Sequence, residues 1–147
     1  MAIQFWHMQM FSWDNSQFAD HIPSILEHQK FIGVGNREEN TKYIEDFCHN
    51  ANVNDVVALK QGGRLIALVQ IIGGVYQVAE SDDELGWLVF RRPIRVLDWE
   101  IDERSIPHCR GTFVKCASED VETTKVIKEW YEKIKISFEQ RNIPLTV

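Results

Sequence analysis

Two apolar runs separated by a glycine pair constrain the fold of this chain more than any other feature. Residues 56–59 and 64–72 are rich in Val, Ile, Leu and Ala, and Gly62-Gly63 lies between them. Apolar runs of this kind around a Gly-Gly pair are typical of two antiparallel strands joined by a tight turn. A second pair, Gly73-Gly74, predicts a bulge or a corner, which a small barrel needs in order to close. The sequence therefore predicts a β-hairpin within a curved sheet.

Three other segments predict strands. Residues 3–10 alternate apolar and polar side chains with strong aromatic content, which indicates a strand with one buried face. Residues 85–99 and 110–116 are further apolar runs. We expect the longer of these two to bend or break near Pro93, because proline lacks the donor that a strand ladder uses.

Apolar residues at helical spacing predict three helices. They cover residues 20–31, 41–50 and about 121–141, and the last carries a broad apolar face. Residues 32–36 are expected to end the first helix. Short helices after the first strand, a run of antiparallel strands and a closing helix together predict an α+β barrel.

Size and cysteine content limit the class of protein. The 147 residues, of which 44% are hydrophobic, predict a single domain with one core over 1–147. Cys48, Cys109 and Cys116 are an odd number at wide spacing, which fits neither a disulfide framework nor a paired zinc motif. No apolar run reaches the roughly 18 residues that span a bilayer, and no signal peptide is evident. We expect a cytoplasmic protein without a metal or cofactor.

A basic cluster beside aromatic residues points to nucleic acid. Three arginines in residues 91–95 lie next to Trp87 and Phe90 in the sequence. Cationic groups bind phosphates, and aromatic rings stack on bases that have left the base stack. The net charge of −6 argues against strong non-specific binding, although the acidic runs fall in segments expected at the periphery. The predicted basic face consists of Lys60, Arg64, Arg91, Arg92 and Arg95.

Five segments follow, in order, the hydrophobic pattern of a known family. They are residues 5–8, 32–35, 54–60, 64–71 and 87–95, with the first two predicted helices between the first three segments. Over roughly residues 3–116 the chain resembles an EVE-type domain of the PUA-like superfamily. Within that family it is most similar to recognition domains fused to McrB-type modification-dependent restriction proteins. The resemblance implies an EVE/YTH-type small mixed β-barrel that accepts a flipped, often methylated, base in an aromatic pocket.

The resemblance also implies a role and partners. The chain is expected to bind DNA with a modified base, to have no catalytic activity of its own, and to supply specificity to a restriction or defence system that includes a fused or associated nucleotidase or nuclease effector. Candidates for the base pocket are Trp13, Trp87 and Phe90, with Trp6 and Tyr76 as weaker candidates and Asp14 and Asn36 as readers of the base edge. Candidates for phosphate contacts are Lys60, Arg64, Arg91 and Arg92.

The sequence leaves several of these roles open. Trp6 and Tyr76 also fit a core, and Trp87 and Phe90 are three positions apart, so a regular strand would place them on opposite faces. Acidic residues in 98–103 allow a metal-dependent nuclease, but no accompanying Glu-x-Lys motif supports it. The sequence is also compatible with an RNA-binding PUA-like module and with a protein-docking module that uses the C-terminal helix.

Overall fold

A mixed β-sheet of seven strands forms the framework of the computed structural model, which describes residues 2–10, 18–36, 41–107, 111–117 and 121–147. The strands are β1 (Phe5–Met8), β2 (Phe31–Val34), β3 (Val56–Gln61), β4 (Arg64–Ile71), β5 (Tyr76–Gln77), β6 (Phe90–Trp99) and β7 (Phe113–Lys115). Their order is β2-β6-β4-β3-β1-β7, and β5 pairs with β6. β1 and β3 are parallel, and the other pairs are antiparallel. The sheet forms a half-barrel.

Within the described residues, three helical segments accompany the sheet. The first joins a 3-10 turn (Phe18–His21), α1 (Ile22–Ser24) and a π-helical turn (Ile25–Gln29). The second joins α2 (Thr41–Glu45) to a π-helical turn (Asp46–Asn50), and the third is α3 (Glu122–Gln140). These bounds agree with the three helices expected from the apolar spacing.

Side chains of the sheet fill two cores, one on each face. Along β3, Val57 and Leu59 belong to the first core, whereas Val56 and Ala58 belong to the second. This alternation follows from the two-residue period of a strand. The first core packs against the two N-terminal helical segments, and the second packs against α3. The N-terminal helical segments and α3 therefore lie on opposite faces of the sheet.

The structure confirms the predicted hairpin and corrects three details. β3 and β4 pair across Gly62-Gly63. Residues 31–34, expected in part to end a helix, form β2 and pair with β6. β6 begins at Phe90 rather than Leu85, because residues 84–87 form turns. β6 is not broken at Pro93. On one edge, β6 pairs with β5 up to Arg91 and with β4 from Ile94 onward. Pro93 lies between these two pairings and has no partner in either strand.

Candidate functional site

The indole of Trp87 lies against the backbone at the end of β2. A Cβ atom on Gly35 would be 3.1 Å from Cε3 of Trp87 and 3.2 Å from its carbonyl oxygen. The glycine therefore allows an approach that a larger residue would obstruct. The ring of Phe18 meets Trp87 edge-on, with centroids 5.1 Å apart and an interplanar angle of 73°. Trp87 itself is half-buried and packs against the first core, so part of the residue remains open to solvent beside these contacts.

The same indole carries an unmet hydrogen-bond donor. Nε1 of Trp87 is buried, and no described residue accepts its proton. A buried donor without an acceptor costs about 1–3 kcal/mol. The site therefore combines a half-buried tryptophan with a buried N–H for which the described residues provide no acceptor.

Polar groups follow at the end of β2. Asn36 is exposed and comes directly after Gly35, whose carbonyl oxygen accepts a hydrogen bond from the Tyr43 hydroxyl at 3.5 Å. Asn36 can thus present its amide, which both donates and accepts, next to the contact of Gly35 with Trp87. The role of Asn36 as a reader of a base edge stays a prediction, and its position permits that role.

Two other aromatic candidates, Tyr76 and Phe90, lie on opposite faces of the sheet. Tyr76 pairs with Arg91, whereas Gln77 pairs with Phe90, so Tyr76 and Phe90 point to opposite sides of this part of the sheet. Tyr76 is 43% exposed, and Phe90 packs against the first core. Phe90 and Trp87 thus pack against the same core and are both half-buried, while Tyr76 is more exposed at the surface. The role of Phe90 in the pocket stays a prediction. Trp13 and Asp14 lie outside the described residues.

Trp6 is a core residue rather than a wall of a pocket. It is 1% exposed and stacks on Phe113 with ring centroids 4.5 Å apart. Its Nε1 donates to Oδ2 of Asp55 at 3.1 Å. With both its face and its N–H used inside the domain, Trp6 has no surface to offer a base.

Two of the expected phosphate contacts are also interior. Lys60 is 0% exposed on β3, and Arg92 is 4% exposed on β6. Arg92 donates from Nη1 to the carbonyl oxygens of Phe47 at 3.1 Å and Ala51 at 2.7 Å, and from Nη2 to Gly73 at 3.2 Å. Burial lowers the pKa of Arg92, an effect opposed by Asp55 and Cys48. The guanidinium holds three segments together and does not face solvent.

The basic face expected from the sequence is therefore not continuous. Arg95 donates to Oε1 of Gln70 at 2.5 Å and to the Pro144 carbonyl at 2.8 Å, and its guanidinium lies 5.5 Å from the Phe138 ring centroid. Arg91 is bonded to backbone carbonyls in a similar way. Arg64 is exposed, but it lines a hollow of about 390 Å³ whose wall also carries the carboxylates of Asp20, Glu100 and Glu103.

Carboxylates near the end of β6 are engaged within the domain. Glu100 accepts hydrogen bonds from Arg104 Nε at 2.6 Å and from the Asp102 backbone N–H at 3.0 Å, and Asp98 accepts one from Trp130 Nε1 at 2.7 Å. In the part of the chain that the structure describes, no three His, Cys, Asp or Glu side chains are grouped to hold a metal ion. The carboxylates of Asp98 and Glu100 therefore serve structural contacts.

Comparisons with known proteins identify the fold. No protein-family model and no curated protein matches the chain. Its structure is similar to the YTH domain of Zygosaccharomyces rouxii MRB1 protein in complex with N6-methyladenosine RNA, with a TM-score of 0.53 and 9% identity over 87% of this chain and 86% of that one. The Pho92 YTH domain in complex with m6A gives 0.51 and 11% identity over 86% and 82% of the two chains. A hypothetical protein from Leishmania major gives 0.53 and 10% identity over 90% and 97%.

The chain has a PUA-like fold. At identities of 9–11% these similarities define the architecture alone. They agree with the small α+β barrel that the sequence predicts. Among the helices described in this PUA-like domain, none combines the length and hydrophobicity needed to cross a bilayer.

Three features of the site in this PUA-like domain cannot be read from the sequence. Phe18 gives no distinct signal, because a single aromatic residue at a helix start is most simply core. Gly35 is recognisable only as part of a helix-ending segment, although Trp87 covers it in the folded domain. Arg91 has the pattern of a surface cation, whereas its donors face the loop that carries Trp87.

Proposed function

We propose that this PUA-like domain binds nucleic acid and recognises a methylated base that stacks on Trp87. The observation that carries the proposal is the half-buried indole of Trp87, held against Gly35, with a buried N–H that no described residue satisfies. Support comes from two YTH domains of similar fold whose structures hold N6-methyladenosine or m6A.

Stacking and methyl burial have the magnitude that such recognition needs. A base that has left the stack regains about 1–3 kcal/mol by stacking on an aromatic ring, which matches the few kcal/mol that flipping costs. A methyl group buried against the pocket adds about 0.8 kcal/mol. Preference for the methylated base is therefore modest unless polar contacts to the base edge add to it. Asn36 and Asp14 are our candidates for those contacts, and Trp13 and Tyr76 are candidates for a second aromatic wall.

DNA is the polymer that we propose as the natural ligand. The EVE-type and McrB-type resemblance of segments such as 32–35 and 54–60 supports DNA and a place in a restriction or defence system. In that role the domain supplies specificity and has no catalytic activity, while a fused or associated nucleotidase or nuclease effector performs the reaction. RNA is the alternative polymer, because an RNA is present in the structure of the MRB1 YTH domain.

The base, rather than the phosphates, dominates the proposed contact. Lys60 and Arg92 are buried, and the guanidiniums of Arg91 and Arg95 bind carbonyl oxygens within the domain. Each phosphate contact makes the plot of log K against log salt concentration steeper. We therefore expect a shallower salt dependence than that of a protein with six to ten phosphate contacts.

Fluorescence anisotropy on matched oligonucleotides tests the proposal. The panel contains DNA and RNA with adenine or N6-methyladenine, and DNA with cytosine, methylcytosine or hydroxymethylcytosine, all at one salt concentration. We expect tighter binding of one methylated oligonucleotide, lost in Trp87→Ala and kept in Trp99→Ala. Trp99 is a matched control because it is also half-buried and also packs against the first core. Absence of binding by the wild type, or equal binding by Trp87→Ala, would contradict the proposal.

A further inference from the structure

We infer that Arg91 is a positioning residue for the base pocket, and that it acts by fixing the loop that carries Trp87 rather than by contacting a phosphate. This inference rests on the proposed function. The loop comprises residues 81–89, between β5 and β6, and is called the Trp87 loop below.

Two hydrogen bonds connect the guanidinium to this loop on both sides of Trp87. Nε of Arg91 donates to the carbonyl oxygen of Leu88 at 2.7 Å, and Nη2 donates to that of Leu85 at 2.9 Å. Bonds from an ionised donor are stronger than those between neutral groups. Because the two acceptors flank Trp87 in the sequence, the pair restrains the backbone from which the indole projects.

A third contact fixes the guanidinium itself. Its Cζ lies 4.4 Å from the ring centroid of Phe31 on β2, a distance at which a cation is attracted to an aromatic face. Arg91 thus links its own strand, β6, to β2 and to the Trp87 loop. Gly35, against which the indole packs, directly follows β2. One side chain therefore connects the strand beneath Trp87 with the backbone on either side of it.

Backbone hydrogen bonds also restrain the Trp87 loop. Val89 N–H donates to the carbonyl oxygen of Trp87 at 3.1 Å, and Val78 N–H donates to that of Val89 at 2.8 Å. Gly86 N–H donates to Asp83 at 2.8 Å and Leu88 N–H donates to Leu85 at 3.1 Å, both within the loop itself. Glu84 lies 2.7 Å from His21, but both side chains are substantially exposed, where an ion pair contributes little. The side-chain bonds of Arg91 come from the sheet and reach Leu88, next to Trp87, and Leu85, two residues before it.

Side-on phosphate binding would compete with this arrangement. Nε and Nη2 are already used, and Phe31 covers one face of the guanidinium. A phosphate bound side-on through Nε and Nη2 would have to displace both carbonyl oxygens and would release the loop. A phosphate bound end-on through Nη1 and Nη2 would leave both bonds in place, and the double-mutant cycle distinguishes that case.

A double-mutant cycle separates the two roles. We expect Arg91→Ala to weaken binding of the preferred methylated oligonucleotide about tenfold, the equivalent of one charged hydrogen bond. In a Trp87→Ala background, the same substitution should have no further effect on Kd. Arg91→Lys should also lose affinity, because an ammonium keeps the charge but not the fork that spans two carbonyls. Arg95→Ala is the matched control, since Arg95 is on the same strand, binds the Pro144 carbonyl and lies over Phe138, and its removal should change Kd by less than about twofold.

A phosphate contact by Arg91 predicts a different set of results. If Arg91→Ala weakens binding by the same factor with and without Trp87, lowers the salt slope, and is rescued by lysine, then Arg91 contacts phosphate and the inference is wrong. The free energy of unfolding is measured for each variant, so that binding is compared only under conditions in which the variant is folded.

A ligand-free measurement keeps the inference apart from the proposed function. The emission of Trp87 is obtained as the difference between each protein and its Trp87→Phe counterpart, and its quenching by acrylamide is compared with and without Arg91. We expect easier quenching in Arg91→Ala and no change in Arg95→Ala. Unchanged quenching would overturn the positioning role. Increased quenching in a protein whose wild type binds no oligonucleotide would refute the proposed function while leaving the loop contact established.

Discussion

The indole N–H of Trp6 donates to the buried carboxylate of Asp55 at 3.1 Å, which ties β1 to the turn that precedes β3. The same carboxylate accepts hydrogen bonds from the Gln4 backbone N–H at 3.0 Å and from the Asn52 backbone N–H at 2.9 Å. A single acidic side chain thus organises the start of the parallel strand pair.

Trp6→Phe should lower the free energy of unfolding by about 1–3 kcal/mol without changing affinity for nucleic acid, because it removes one hydrogen bond to a charged acceptor and leaves the ring stack on Phe113. Urea unfolding checks the stability and anisotropy checks the affinity. Tyr76→Phe at the surface is the control for stability. If Trp6→Phe weakens binding while the free energy of unfolding is unchanged, then Trp6 lines the pocket and its assignment to the core is wrong.

Arg92→Met should destabilise the domain by about 3 kcal/mol or more, because the carbonyl oxygens of Phe47, Ala51 and Gly73 lose their donor. Arg64→Met, which changes an exposed arginine, should alter the free energy of unfolding by no more than about 0.5 kcal/mol. Denaturant titration measures both. A stable Arg92→Met protein with weakened binding would mean that Arg92 contacts the ligand after all.

Gly86→Ala should disturb the Trp87 loop, because a Cβ there would collide with the Oγ and the carbonyl group of Ser81. We expect a stability loss of about 1–3 kcal/mol together with weaker binding of the methylated oligonucleotide. Gly74→Ala is the matched control, since its Cβ would meet nothing within 4 Å. Equal behaviour of the two variants in urea and in anisotropy would show that the loop tolerates the side chain.

Stability should decrease as the pH falls from about 6.5 to about 4, in part because of His7. Burial, and then the charge of Lys60, lower the pKa of His7 from 6.5 to about 4. Since the folded state disfavours the proton, the contribution of His7 is fully present above pH 6.5 and is lost as the pH falls to about 4. The difference corresponds to about 3 kcal/mol.

The variant His7→Gln should flatten the dependence of the free energy of unfolding on pH in this window. His28→Gln, at an exposed position, should leave the dependence unchanged. Urea titrations at several pH values measure both slopes, and an unaltered slope in His7→Gln would refute the role of His7.

Arg64 remains a prediction for a phosphate contact, because it is the exposed member of the expected basic set. If it neutralises one phosphate, Arg64→Gln should reduce the slope of log K against log salt by about 0.9 for duplex DNA or about 0.7 for a single strand. Arg95→Gln is the control, since Arg95 is bonded to Gln70 and Pro144. An unchanged slope in Arg64→Gln would place Arg64 away from the phosphates.

Local sequence pattern is sufficient to predict the hairpin and α3, because both are set by neighbours in the chain. The Gly62-Gly63 turn joins strands that pair with each other, and α3 carries its apolar stripe within 19 residues. The sequence pattern does not predict β2, because this strand is set by a partner far away in the chain. It has four residues, one of them Gly33, and its partner residues on β6 begin 56 positions after its last residue, where Val34 pairs with Phe90.

The roles of the basic residues depend on contacts that a linear pattern does not contain. Arg91 and Arg92 are adjacent and look equivalent, yet alternation along β6 directs one to the Trp87 loop and the other to the carbonyls of Phe47 and Ala51. A register shift between Leu59 and Lys60 interrupts the regular pattern of β3 at the buried lysine. Charge in the sequence identifies cations, but burial decides which of them reach solvent.

The parallel pairing of β1 with β3 also has a kinetic consequence. Parallel neighbours need a long crossover connection, and here that connection contains Phe18, Gly35 and both short helical segments. Closing such a connection lowers the entropy of the chain before any strand contact forms to offset that loss. Folding is slower as a result. The contact of Trp87 with Gly35 joins parts of the chain that are also far apart in sequence, so it adds to the long-range contacts on which the rate of folding depends.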